Sequence, residues 1–169
     1  MPTQEKESIR YLEHAIFDLD SMDPPIHNYL ISLYIKHQPE CVWPFLQKFT
    51  GAENIYYDVK YTLRLCMDTN QMPKESVYLY CVLDQLEEAV SIALKQLEIE
   101  DAKNCLKYAK NDAVKRKIWL QIAEHIVTQE NDIQTAMACL NECNDLVKIE
   151  DILPFFPSKN LLQLISYFV

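Results

Sequence analysis

Apolar residues return every three or four positions through almost the whole chain, and the polar or proline-containing breaks between them are short. Ile9, Leu12, Ile16 and Leu19 stand at helical spacing and predict a first helix from about Gln4 to Leu19. The stretch 18–25 ends it, because its two prolines cannot continue a helix but suit the start of the next. A second helix runs through Ile26–Tyr34 and is closed by Pro39, and a shorter third spans roughly 40–49. Thr50-Gly51-Ala52 is the plainest helix stop in the chain. From Tyr57 the rhythm is regular. Helices are predicted over 57–69, 74–83, 86–96 behind an Asp84 cap, 100–108, 113–128 capped by Asn111-Asp112, 133–141 opened by Asn131-Asp132, 147–153, and 161–168. The expected fold is all-α, with roughly ten helices joined by loops of about two to six residues.

Short, numerous helices must stack as successive hairpins instead of meeting around one axis, which predicts an α-solenoid of stacked antiparallel helix pairs. A loose internal similarity agrees. Leu86-Glu87-Glu88-Ala89-Val90 resembles Ile133-Gln134-Thr135-Ala136-Met137, and Ala89 and Ala136 stand 47 positions apart, near the ~40–47 residues of two- or three-helix repeats. In the stretch 113–128, Val114, Ile118, Trp119, Leu120, Ile122, Ala123, Ile126 and Val127 cover most of a helical circumference, as expected of a helix sandwiched between neighbours.

Composition narrows the functional classes. The chain of 169 residues has one glycine, Gly51, where average usage gives roughly a dozen. With one, neither a dinucleotide fingerprint nor a phosphate-binding loop can be written, and the tight hairpins of an all-β fold are equally hard to build. A net charge of −9 argues against nucleic acid and against adsorption to anionic membranes. No stretch approaches the ~20 apolar residues of a membrane span, and the polar, acidic Met1–Glu7 does not read as a signal peptide. No membrane insertion is expected.

Catalysis needs convergent polar groups, and the residues offer none. His14, His27, His37 and His125 are scattered, with neither a Glu-x-x-His pair nor an H-E-x-x-H. Asp18, Asp20 and Asp23 open like a calcium loop, but Asp23 stands where that loop needs glycine. Six cysteines lie mostly in apolar helical patterns, never as C-x-x-C, and read as reduced, buried thiols. Cys139 and Cys143 share a helical face, but no second pair lies close in sequence. No enzyme, metal or cofactor is expected. One charge feature stands out: Lys103, Lys107, Lys110, Lys115, Arg116 and Lys117 lie within 103–117 against the single acid Asp112, and the first three fall on one face of a continuous helix. Two readings stay open, a solvated outer face and a docking site for an acidic helix or phosphorylated segment.

Five ordered blocks carry a resemblance. Ile149-Glu150-Asp151-Ile152-Leu153-Pro154-Phe155-Phe156-Pro157 resembles a block of the Deep orange family of class C vacuolar protein sorting subunits. The stretches 134–140 (Gln-Thr-Ala-Met-Ala-Cys-Leu), 115–120 (Lys-Arg-Lys-Ile-Trp-Leu), 26–30 (Ile-His-Asn-Tyr-Leu) and 57–61 (Tyr-Asp-Val-Lys-Tyr) are similar to it in the same order. The resemblance implies a clathrin-heavy-chain-repeat solenoid from a core subunit of the HOPS and CORVET tethering complexes. The implied role is a non-catalytic scaffold in vesicle trafficking and fusion, cytoplasmic and peripheral on late endosome, lysosome or vacuole membranes through its complex. The implied partners are protein subunits of that complex. In the family such a segment lies between a β-propeller and a RING domain, so residues 1–169 are expected to be a single solenoid segment cut from a longer chain. No active-site residue is carried over. Pro154 and Pro157 are expected to fix a helix break, with Phe155 and Phe156 filling the space beside it. The alternative is a self-standing helical-repeat module binding acidic or phosphorylated peptides through the basic stretch. The apolar run 161–169 favours the cut piece, and self-association through Leu161, Leu164, Ile165 and Phe168 is expected.

Overall fold

A computed structural model describes residues 3–50, 55–130, 132–143 and 145–156. Ten α-helices and no strand occur among them: α1 Thr3–Glu13, α2 Pro24–His37, α3 Val42–Thr50, α4 Val59–Thr69, α5 Pro73–Val82, α6 Leu86–Gln96, α7 Ile99–Asn104, α8 Asp112–His125, α9 Ile133–Glu142 and α10 Ile149–Ile152. The expected helix 161–168, with its self-association surface, and the expected break at Pro157 lie outside the described residues.

The boundaries follow from local chemistry. The first helix continues beyond α1 as a π-helical turn over His14–Asp18, where the Leu19 amide donates to the His14 carbonyl at 3.1 Å. α2 opens on the diproline, whose missing N–H groups would have lacked a helical partner anyway, and its last turn carries Lys36, a cation suited to a helix C-terminus. The third helix is prefaced by a 3₁₀ turn over Pro39–Cys41, and Pro44 falls in the first turn of α3, where it does no harm. Asp58, Asn111 and Asp132 cap α4, α8 and α9, each side chain accepting an orphan amide. The expected Asp84 cap is corrected. Asp84 takes a left-handed φ of 62°, Gln85 holds the cap position without a side-chain bond, and the Asp84 carboxylate faces Lys110 instead.

The chain divides into two compact units, Met1–Leu83 and Asp84–Val169. In the first, α2 packs against α1, α3 and α4, and α5 packs on α3 and α4. Leu30, Ile31, Val42, Leu46 and Leu79 are fully buried there. In the second, α8 touches α6, α7, α9 and α10, and buries Ile118, Trp119, Ile122 and Ala123, with Ile126 and Val127 buried in the π-helical turn that follows. This is the sandwiched helix that its apolar circumference predicts.

The internal repeat is sharper in three dimensions than in sequence. Ala89 and Ala136 are both fully buried, as small residues at close helix approaches should be. Beyond them, Ile99-Glu100-Asp101 of α7 and Ile149-Glu150-Asp151 of α10 open short helices in the same way. Glu98 and Lys148 are extended (φ −97°, ψ 158° and φ −100°, ψ 160°), and their amides donate to Asp101 and Asp151 at 3.3 and 3.0 Å. Each short helix then tightens into a 3₁₀ turn, Cys105–Tyr108 and Leu153–Phe155. Of the two residues expected to fill the space beside Pro154, Phe156 is buried at the second turn and Phe155 is half-buried.

Candidate functional site

The basic stretch does not form a continuous helical face. α7 gives way to the 3₁₀ turn at Cys105, helix ends at Tyr108, and Lys110 lies outside it. Each cation is turned toward a neighbouring group. Lys103 Nζ reaches Glu142 Oε2 at 2.6 Å, joining α7 to α9, with Glu100 at 3.8 Å. Arg116 Nη2 reaches Asp151 Oδ1 at 2.8 Å, joining α8 to α10. Lys117 Nζ reaches Glu87 Oε1 at 2.6 Å, joining α8 to α6, and the nearby Gln121 amide donates to the Glu87 carbonyl at 3.2 Å. Lys110 meets Asp84 at 2.7 Å, and Lys115 meets Asp112 of its own helix at 3.4 Å. Lys107 donates to the Asn104 side-chain oxygen at 2.6 Å, with no carboxylate partner among the described residues.

These contacts differ in strength. The Lys103 side chain is only 19% exposed; burial works to lower its pKa, but the hydrogen bond and charge of Glu142 prevail and raise it. Asp151 is held below the ordinary carboxylate range first by the Lys148 amide and then by Arg116. Lys110 and Lys117 are 72% and 63% exposed, and pairs of that kind contribute about 0–1 kcal/mol each. They hold the surface only loosely.

Two open grooves lie between α6 and α8. One, of about 410 Å³, is lined by Asp84, Leu86, Glu88, Val114, Lys117 and Ile118. The other, of about 360 Å³, is lined by residues including Leu94, Lys95, Gln121, Glu124 and His125. The second also carries Ser91 and Thr128, but among the described residues no hydrogen bond joins either hydroxyl to His125, and Thr128 donates to the Glu124 backbone carbonyl instead. Among the described residues no group of three or more His, Cys, Asp or Glu is placed to hold a metal ion, and no disulfide joins the cysteines. Cys66, Cys81, Cys105, Cys139 and Cys143 are buried, and Cys41 is half-buried. Burial pushes the thiols of Cys66 and Cys139 up to about 12. Both should therefore stay unreactive toward a thiol reagent at pH 8 in the native chain while Cys41 is labelled first, and denaturant should expose all six. Native labelling of Cys66 at the rate of Cys41, followed by mass spectrometry, would contradict this packing.

Sequence reasoning missed His27, which it placed only among scattered histidines. Its side chain is wholly buried in α2, with ring centroids 4.9 Å from Phe49, 5.7 Å from Tyr56 and 5.9 Å from Phe45. Nε2 donates to the Ser21 carbonyl at 2.8 Å, and buried Nδ1 has no hydrogen-bond partner among the described residues.

Residues 1–127 match the family model of the VPS18 alpha-solenoid domain, second half. The chain belongs to this family. It is 45% identical over 156 residues to the vacuolar protein sorting-associated protein 18 homolog of Danio rerio, covering 91% of this chain and 16% of the relative. It is 39% identical over 171 residues to vacuolar sorting protein 18 of Arabidopsis thaliana, covering 93% and 17%. The Drosophila melanogaster homolog is 36% identical over 154 residues, covering 90% and 15%. The chain thus spans about a sixth of the length of these relatives. No solved structure matches it. The VPS18 solenoid family accounts for the all-helical fold and the repeated helix pairs, and no helix among the described residues is long and apolar enough to cross a membrane.

Proposed function

We propose that this chain is a non-catalytic solenoid segment, single over 1–169, of a membrane-tethering complex of endosomes and lysosomes, and that it holds other protein subunits at fixed positions. The observation that carries this reading is the match of residues 1–127 to the VPS18 solenoid, supported by relatives named for vacuolar protein sorting. A stacked array of short helices offers long, rigid faces, which suits spacing and docking better than chemistry. The protein then sits in the cytoplasm and reaches membranes through its complex.

The second reading, docking of acidic or phosphorylated segments, is favoured by Lys107, with an amide in place of a carboxylate partner, beside the exposed pairs of Lys110 and Lys117. Lys103, Lys115 and Arg116 complete the basic surface of this reading, each already paired with a carboxylate. One experiment addresses both readings. The chain should co-precipitate purified class C subunits and leave bare anionic liposomes unbound. Lys107→Glu with Lys110→Glu should keep the helical circular dichroism and weaken one subunit by more than ~1 kcal/mol, beyond what exposed pairs contribute. Recovery on liposomes without any subunit would overturn the scaffold, and unchanged affinity in the reversed variant would remove the basic surface from it.

A further inference from the structure

The connection between α1 and α2 exposes more large apolar side chain than any other short stretch of the described residues. Leu19 is 67% and Met22 62% exposed, and Phe17 stands at 36% with its ring 5.9 Å from Phe49. Asp18, Asp20 and Asp23 alternate with them, all exposed. Apolar side chains scattered singly on a surface need no explanation, but two within four residues, interleaved with three carboxylates, form a patterned patch.

The patch is also tied at both ends. The Leu19 and Ser21 amides donate to the His14 and Ala15 carbonyls at 3.1 and 3.0 Å, which ties the segment to the end of the first helix. From the other side, His27 Nε2 donates to the Ser21 carbonyl at 2.8 Å. That imidazole is fully buried among Phe45, Phe49 and Tyr56, and its Nδ1 has no partner among the described residues. Asp20 adopts φ 51°, a left-handed conformation that aspartate tolerates and branched residues do not. A segment fixed from both ends loses little conformational freedom when it docks.

We propose that residues 17–23 are a preformed docking knob for a protein surface that offers an apolar hollow edged by lysine or arginine. Leu19 and Met22 enter the hollow, and Asp20 and Asp23 meet the basic edge. Charge complementarity selects this occupant: Asp18 meets His14 at 2.7 Å and Lys48 lies over the Phe17 ring, but Asp20 and Asp23 have no ion-pair partner among the described residues and repel an anionic lipid surface or a nucleic acid, and a second copy of a chain of net charge −9 is a poor match. Apolar burial supplies the affinity and the carboxylates supply orientation and rate.

The test uses fluorescence anisotropy with the full 169-residue chain and a labelled synthetic helical peptide of leucine and lysine. Two comparison peptides replace all lysines by glutamate or all leucines by serine. Only the first should bind. Leu19→Ser with Met22→Ser should weaken it about tenfold or more. Asp20→Asn with Asp23→Asn should weaken it about threefold or more and flatten its salt dependence. The charge-matched control Glu7→Gln with Glu150→Gln should change it less than about twofold. Circular dichroism checks that each variant stays folded. Equal losses in control and knob variants, indifference to Leu19 and Met22, or binding of either comparison peptide would overturn the proposal. So would capture of the chain by zwitterionic vesicles through Leu19 and Met22, or a dimer in sedimentation that the Leu19→Ser, Met22→Ser variant abolishes.

Discussion

Ile122→Ala is expected to cost about 2–5 kcal/mol of folding stability, the range for deleting a buried isoleucine side chain to alanine. Ile122 has no exposed surface and sits on the helix that touches α6, α7, α9 and α10. A cavity opened there cannot close by the shift of one neighbour, because movement toward it from α6 and α7 opens space elsewhere, and the same holds for α9 and α10. The cost should therefore lie in the upper half of the range. Denaturant unfolding followed by Trp119 fluorescence in a Trp43→Phe background reports on the same helix, since that indole is buried beside Ile118 and Ile122. Lys117→Ala, one turn earlier, removes only the exposed pair with Glu87 and should change stability by less than about 1 kcal/mol. A loss below about 1 kcal/mol for Ile122→Ala would mean that α8 is not enclosed on both sides.

That contrast marks where the fold was legible and where it was not. The apolar circumference of residues 113–128 is a local property, so burial between layers follows from periodicity alone. The caps at Asn111 and Asp132 are likewise local, each a side chain bonding an amide two or three residues on. The basic stretch is different. A window over 103–117 shows one acid, but the groups that engage Lys103, Lys110, Arg116 and Lys117 come from Glu142, Asp84, Asp151 and Glu87, between 26 and 39 positions away. No local pattern encodes such pairings. Asp84 failed as a cap for the same reason: its left-handed backbone and its lysine partner are set by tertiary position. The Ile-Glu-Asp repeat at 99 and 149 was present in the sequence, and its offset of 50 beside the 47 between Ala89 and Ala136 is the signal that could have found it.

His27→Ala should destabilise the first unit by about 3 kcal/mol, near the lower end for removal of a buried ring. The imidazole fills a site walled by Phe45, Phe49 and Tyr56, and its loss leaves a void among side chains that already touch one another, with Phe45 and Phe49 only 4.7 Å apart. His27→Phe separates the two jobs of the residue. Phenylalanine keeps the ring, removes the donor to Ser21, and also removes the buried Nδ1, which has no partner among the described residues. Losing a hydrogen bond costs about 1 kcal/mol, but taking away an unsatisfied buried nitrogen returns a similar amount, so net stability should move by less than about 1 kcal/mol. Order in the connection should still suffer, because the Ser21 carbonyl is one of its ties to α2, beside the Asp23 carbonyl that accepts the Ile26 and His27 amides. Hydrogen exchange of peptides covering 17–23 should accelerate in both variants, while that of α4 and α5 accelerates only with alanine. If phenylalanine leaves exchange over 17–23 unchanged, His27 is packing alone, and the hydrogen bonds to His14 and Ala15 suffice to hold the connection.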